Sequence, residues 1–163
     1  MLCSVMRVPE RRSGRSDDDL RQQRRDDEHA WHASLRGGTV LFIDCLPDEQ
    51  EMYGDALRHA GIEPVIVCDG SSAFERAVST CARVVVIDLT PRDGGLDLIR
   101  RFRGDSRTRA STIIAVSAQV FPADRAAAEH AGCDVFLSKP CPPDTLVAEV
   151  RCVLTRLNSE RAS

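Results

Sequence analysis

Lysine is almost absent from this chain of 163 residues: of its 22 Lys and Arg side chains, only Lys139 is a lysine. Either chance left one exception, or position 139 needs a compact ammonium rather than a planar guanidinium. Other absences narrow the function. There is no basic excess, because the formal net charge is −3, so nothing points to nucleic acid or to an anionic membrane surface. No apolar run approaches the ~20 residues of a membrane span. The opening stretch MLCSVMRVPERRSGRS lacks a hydrophobic core of the length that a secretion signal needs. The 7 cysteines form no C-x-x-C pair and no His–Cys cluster at metal spacing. Their scatter suits reduced thiols in a cytosolic protein, most of them small core residues, better than disulfides or zinc.

What is present divides near Gly37-Gly38. Residues 1–37 are crowded with Arg and Asp and carry almost no apolar periodicity. Such a segment cannot repay the entropy of ordering, so a disordered charged tail is expected, with a short helix around Asp18 to Leu35 and Trp31 as an incidental aromatic. Residues 38–158 alternate between two patterns, and 159–163 read as a short C-terminal tail. TVLFID (39–44), EPVIVCD (63–69), RVVVID (83–88), STIIAVS (111–117) and CDVFLS (133–138) are apolar, β-branched runs. Between and after them, residues 48–61, 71–80, 95–103, 122–132 and 142–158 have helical spacing. A Ser N-cap is expected at the second of these helices and Pro122 at the start of the fourth. Strands without polar alternation are buried on both faces. The expected fold is therefore α/β: a doubly wound, five-stranded parallel sheet with five helices.

In such sheets ligands bind beyond the carboxyl ends of the strands. Strand one ends in Asp44, strand three in Asp88 and strand four in Ser117, and strand five runs into Lys139-Pro140. Each alone has an ordinary explanation as a turn residue or cap. Together they bring two carboxylates, a hydroxyl and an ammonium to one edge. Two acids can hold a hard divalent ion such as magnesium. One of them can also accept a phosphoryl group, with the cations neutralising its oxygens.

The stretches VLFIDCLPDEQEMYGDAL, VVVIDLTPRDGGLDLIRRFR, IIAVSA and VFLSKP resemble a bacterial two-component response regulator receiver domain, of the stand-alone CheY-like kind, over residues 38–157. The resemblance implies a flavodoxin-like sheet of strand order 2-1-3-4-5. It makes Asp88 the phosphoacceptor for a histidine kinase or phosphotransfer protein. Ser117 and Lys139 would bind the phosphoryl group, and Asp44, Asp88 and the Thr90 backbone carbonyl would hold Mg2+. Phe136 would be the aromatic switch residue that moves inward as Ser117 engages, and Pro140 a cis-proline. The output would be a change of protein partner through the face of helix four, strand five and helix five, with dimerisation on phosphorylation as a further expectation. Such a domain is a cytoplasmic phosphoacceptor that takes part in its own phosphotransfer and dephosphorylation, not an enzyme acting on a separate substrate.

Two features depart from the family pattern. Cys45 occupies the usual second acidic position, and a thiol is a poor ligand for magnesium. This weakens the expected metal site, and Asp48 and Glu49 are expected to be turned away by the start of the helix. The loop after Asp88 is also short, placing Pro91 three residues on where the family more often has it four on. These departures keep two alternatives open beside the phosphorylated receiver: a receiver fold acting as a phosphorylation-independent binding module, and a small hydrolase working through an aspartyl-phosphate.

Overall fold

The computed structural model describes residues 38–90 and 94–162. The segment expected to be a charged tail, Trp31 and Pro91 lie outside the described residues. Five strands alternate with five helices: β1 Val40–Ile43, α1 Pro47–His59, β2 Pro64–Val67, α2 Gly70–Thr80, β3 Val84–Leu89, α3 Gly95–Gly104, β4 Thr112–Ser117, α4 Pro122–Ala131, β5 Val135–Ser138 and α5 Pro143–Ala162. The strands form one parallel sheet in the order β2-β1-β3-β4-β5. β1, β3 and β4 are buried nearly throughout, whereas the edge strand β5 is only half-buried. That gradient explains the continuous Val/Ile runs of the central strands, which have helices on both faces.

Local chemistry places the helix ends. α1 begins with Pro47, carries Asp48 and Glu49 in its first turn and ends with Arg58 and His59, matching the helix dipole at both ends. At α2 the cap is Asp69 rather than the expected serine. Its carboxylate accepts from the Ser72 amide at 2.8 Å and from both Ser71 and Ser72 hydroxyls, and these bonds hold its pKa down at about 2. α4 stops at Gly132, whose φ of 112° is open to glycine, and an added Cβ would meet Arg103 Cγ at 2.5 Å.

Two further expectations change. α5 runs on through residues 159–162 instead of ending at Asn158. No Gly or Pro interrupts it, and Ser159 Oγ donates back to the Thr155 carbonyl within the helix. The cysteines are also less buried than expected. Of the six described, Cys141 is buried and Cys133 half-buried, but Cys45, Cys68, Cys81 and Cys152 are exposed. They fall just after strand or helix ends (Cys45, Cys68, Cys81) and on the long last helix (Cys152), where apolar character does not decide burial.

Candidate functional site

Parallel register delivers the polar residues to one edge. In the β3–β4 pairing Asp88 lies beside Val116 and Leu89 beside Ser117, and Ser117 in turn lies beside Ser138. Asp44 follows β1 directly, and its amide donates to the Val67 carbonyl across the β1–β2 pair. The Lys139 amide donates to the Ser117 carbonyl at 2.8 Å, which continues the ladder past the end of β5. The Lys139–Pro140 peptide is cis. Asp44 and Asp88 are buried, with 2% and 9% of their surface exposed.

The Lys139 ammonium stands 2.9 Å from Asp88 Oδ1 and 2.5 Å from Glu49 Oε2. Burial alone would lower the Lys139 pKa, but the bonds to Glu49 and Asp88 outweigh it and the net shift is upward. Asp44 is also shifted upward. Its pKa stands at about 6: burial raises it most, the Leu46 amide opposes this, the charges of Asp88 and Glu49 add to the rise, and Lys139 offsets part of it. Asp44 Oδ1 accepts from Leu46 N at 2.7 Å, while its buried Oδ2 has no hydrogen-bond partner. A buried carboxylate oxygen without a donor is costly unless something cationic meets it.

Glu49 is the residue that sequence reasoning missed. Asp48 is exposed, as expected, but Glu49 is only half-exposed and faces the pocket. One ligand oxygen from each of Asp44, Glu49 and Asp88 lies within 4.8 Å of the others. The signal was Pro47 at the first helical position, which puts Glu49 third. Helix side chains tilt toward the N-terminus, and here that direction is back over the strand ends. The usual reciprocal use of a third-position glutamate, bonding a Ser or Thr cap, is missing because Leu46 is the cap.

The cluster fits a hard divalent cation: it offers carboxylate oxygens only, one of them buried and unpartnered. Cys45 adds no hard oxygen. It is exposed, and its thiol donates to the Cys68 carbonyl across the β1–β2 ends.

Ser117 and Phe136 belong to a neighbouring cavity of about 270 Å³, lined also by Thr90, Gly94 and Leu96. Ser117 Oγ donates to the Leu89 carbonyl at 3.3 Å and accepts from the Gln119 amide at 3.0 Å. Phe136 is half-buried against that space. Gly95 brings α3 close to the end of β3, since a Cβ there would lie 2.6 Å from Leu89 Cδ2.

A buried acidic cluster at the carboxyl edge of a 2-1-3-4-5 sheet, with a lysine before a cis-proline, defines a class, and sequence comparison agrees. The chain matches the response regulator receiver domain over residues 40–151 and belongs to that family of two-component signalling proteins. It is 34% identical over 119 residues to the probable transcriptional regulatory protein TcrX of Mycobacterium tuberculosis, covering 72% of this chain and 50% of that protein. It is 32% identical over 124 residues to the DNA-binding response regulator MtrA of Mycolicibacterium smegmatis, covering 76% and 53%. The chain thus spans about half the length of the curated relatives it matches. The solution structure of a response regulator from Burkholderia multivorans is 31% identical, with a TM-score of 0.60 over 71% of this chain and 94% of that one. The chemotaxis response regulator CheY4 of Vibrio cholerae, at 24% identity, shares the fold with a TM-score of 0.65 over 71% and 98%.

Proposed function

We propose that Asp88 accepts a phosphoryl group from a histidine kinase or phosphotransfer protein, and that the domain passes the signal on by changing a protein partner. The observation that carries this reading is the placement of Asp88. It is buried at the end of the central strand, with the Lys139 ammonium at 2.9 Å and two further carboxylates around it. An Asp88 carboxylate oxygen attacks phosphorus, the bond to the donor's histidine nitrogen breaks, and its electron pair stays on the imidazole. Lys139 offsets charge on the phosphoryl oxygens. Asp44 and Asp88, with the Thr90 carbonyl, would hold magnesium, which would supply further positive charge there.

Ser117 would leave its bond to the Leu89 carbonyl and donate to a phosphoryl oxygen. Phe136 would then turn into the adjoining cavity. That movement would alter the α4–β5–α5 face, the surface assigned to the downstream protein and to any dimer formed on phosphorylation. The half-buried edge strand β5 suits such a role. No helix among the described residues is long and apolar enough to cross a membrane, and a cytoplasmic setting goes with the reading.

Cys45 favours a second reading, a phosphorylation-independent binding module, because it removes one acid of the usual pair. Acetyl phosphate with magnesium separates the two. The phosphoacceptor reading expects one adduct of about 80 Da per chain, sensitive to hydroxylamine and lost in Asp88→Asn. An unmodified wild-type chain, or an Asp88→Asn chain still modified at wild-type yield, would overturn it.

A further inference from the structure

Three carboxylates and one ammonium share the pocket, and one of the carboxylates has two possible partners. Glu49 is bonded to Lys139 at 2.5 Å, yet its carboxylate also lies within 4.8 Å of ligand oxygens on Asp44 and Asp88. Asp44, 2% exposed, keeps Oδ2 buried and unpartnered beside it. Its lack of a donor, and not only the crowding of carboxylates, points to a cation seat. Lys139 does not fill the seat, since its ammonium contacts are Asp88 and Glu49. The side chain next to Asp44 offers no oxygen ligand, because Cys45 carries a thiol, which donates to the Cys68 carbonyl.

We propose that Glu49 is an exchangeable ligand: paired with Lys139 as in this structure, and turned onto a divalent metal when one binds beside Asp44 and Asp88. It takes over, from one helical turn further on, the oxygen seat that Cys45 leaves empty. This rests on the metal reading above and deepens it in two ways. Metal and Lys139 compete for the same carboxylate, so the ion pair lowers the metal affinity. Metal loading also releases Lys139 from Glu49, leaving an ammonium N–H to face a phosphoryl group on Asp88. Glutamate suits the exchange, since its extra methylene lets one carboxylate serve two cations by rotation about side-chain bonds alone.

A double-mutant cycle on the full chain tests this, with Mn2+ as the probe and free Mn2+ read by electron paramagnetic resonance. Glu49→Gln keeps the shape and should lower Mn2+ affinity by about tenfold or more, because it removes a charged oxygen ligand. Lys139→Met should raise affinity by about tenfold in the wild-type background but by no more than about threefold in the Glu49→Gln background. Far-UV circular dichroism checks that each variant is folded, and Glu49→Asp serves as a second variant with the charge kept and the reach shortened. Its affinity should fall between wild type and Glu49→Gln. Glu49→Gln within twofold of wild type, or an equal gain from Lys139→Met in both backgrounds, would overturn the exchange. The acetyl phosphate adduct is scored on the same samples. An adduct with an additive cycle removes the exchange and leaves the phosphoacceptor reading. A non-additive cycle without an adduct does the reverse.

Discussion

The two ends of the sheet treat their polar groups in different ways. At the amino end, side-chain donors tie the elements together. Arg83 donates to Asn158 at 3.0 Å and to the Leu157 carbonyl at 2.7 Å, and Ser111 Oγ donates to the Ala82 carbonyl at 2.6 Å. Arg103 donates to the carbonyls of Gly132, Arg109 and Ser111 and to the Asp134 carboxylate, which also accepts from Ile113 N at 2.7 Å. At the carboxyl end Asp44, Glu49 and Asp88 crowd around one lysine, and Asp44 Oδ2 has no hydrogen-bond partner. One end holds the layers together. The other stores repulsion that a bound cation can relieve, as expected where function rather than stability sets the residues.

Breaking the satisfied end should cost most. Arg103→Ala leaves three carbonyls and a carboxylate short of a donor and should destabilise the fold by about 2–4 kcal/mol, read from urea unfolding midpoints at constant slope. Arg103→Lys should recover less than half of this, because an ammonium cannot reproduce the guanidinium fork. A loss under about 0.5 kcal/mol would mean that the end is held by packing alone.

Relieving the strained end should do the opposite. Asp44→Asn keeps the oxygen that accepts from Leu46 and adds an N–H for its carboxylate neighbours. Without metal it should stabilise the protein at pH 7 by about 1–2 kcal/mol. The sign depends on pH. The folded-state pKa of Asp44 is raised to about 6 from 3.8, so the folded protein takes up a proton that the unfolded chain has lost. Wild-type stability therefore falls as pH rises from about 4 to 6 and levels off above. The advantage of Asp44→Asn should be complete at pH 7 and gone near pH 4, as measured by thermal melts across that range. An advantage independent of pH would place its origin outside this carboxyl group.

Cys45→Ser should do least. The side chain is exposed and lies outside the carboxylate cluster, so stability should change by no more than about 0.5 kcal/mol and Mn2+ affinity by less than about twofold. A larger change in affinity would bring position 45 back into the metal site and weaken the case for Glu49.

The same contrast explains what could be read from the sequence. Strand identity, parallel sheet and helix count followed from uninterrupted apolar runs such as VVVI in β3, because burial on both faces leaves no alternation to misread. Asp44, Asp88, Ser117 and Lys139 were placed together by topology alone, since parallel strands must end on the same edge. Glu49 was not, because its role depends on where a helix starts and which way one side chain leans. Asp69 was passed over as the α2 cap in favour of the serines after it, although all three short polar side chains compete for the same amides. The outer cysteines were misjudged because a strand end or helix face is exposed or covered by neighbours that local composition does not encode. The reach of α5 to Ala162 shows the reverse case: a helix continues when nothing in the chain stops it.

On this reading the carboxyl edge is under electrostatic strain until a divalent cation occupies it. Thermal melts of wild type and Asp44→Asn at pH 7, each with and without magnesium, test it most directly. Metal-free Asp44→Asn should melt above metal-free wild type by several degrees, about 2–8 °C for 1–2 kcal/mol in a domain of this size. Magnesium should raise the wild-type melting point and leave that of the variant nearly unchanged. A metal-free variant that melts below wild type, or a wild type indifferent to magnesium, would mean that no such strain is stored at this edge.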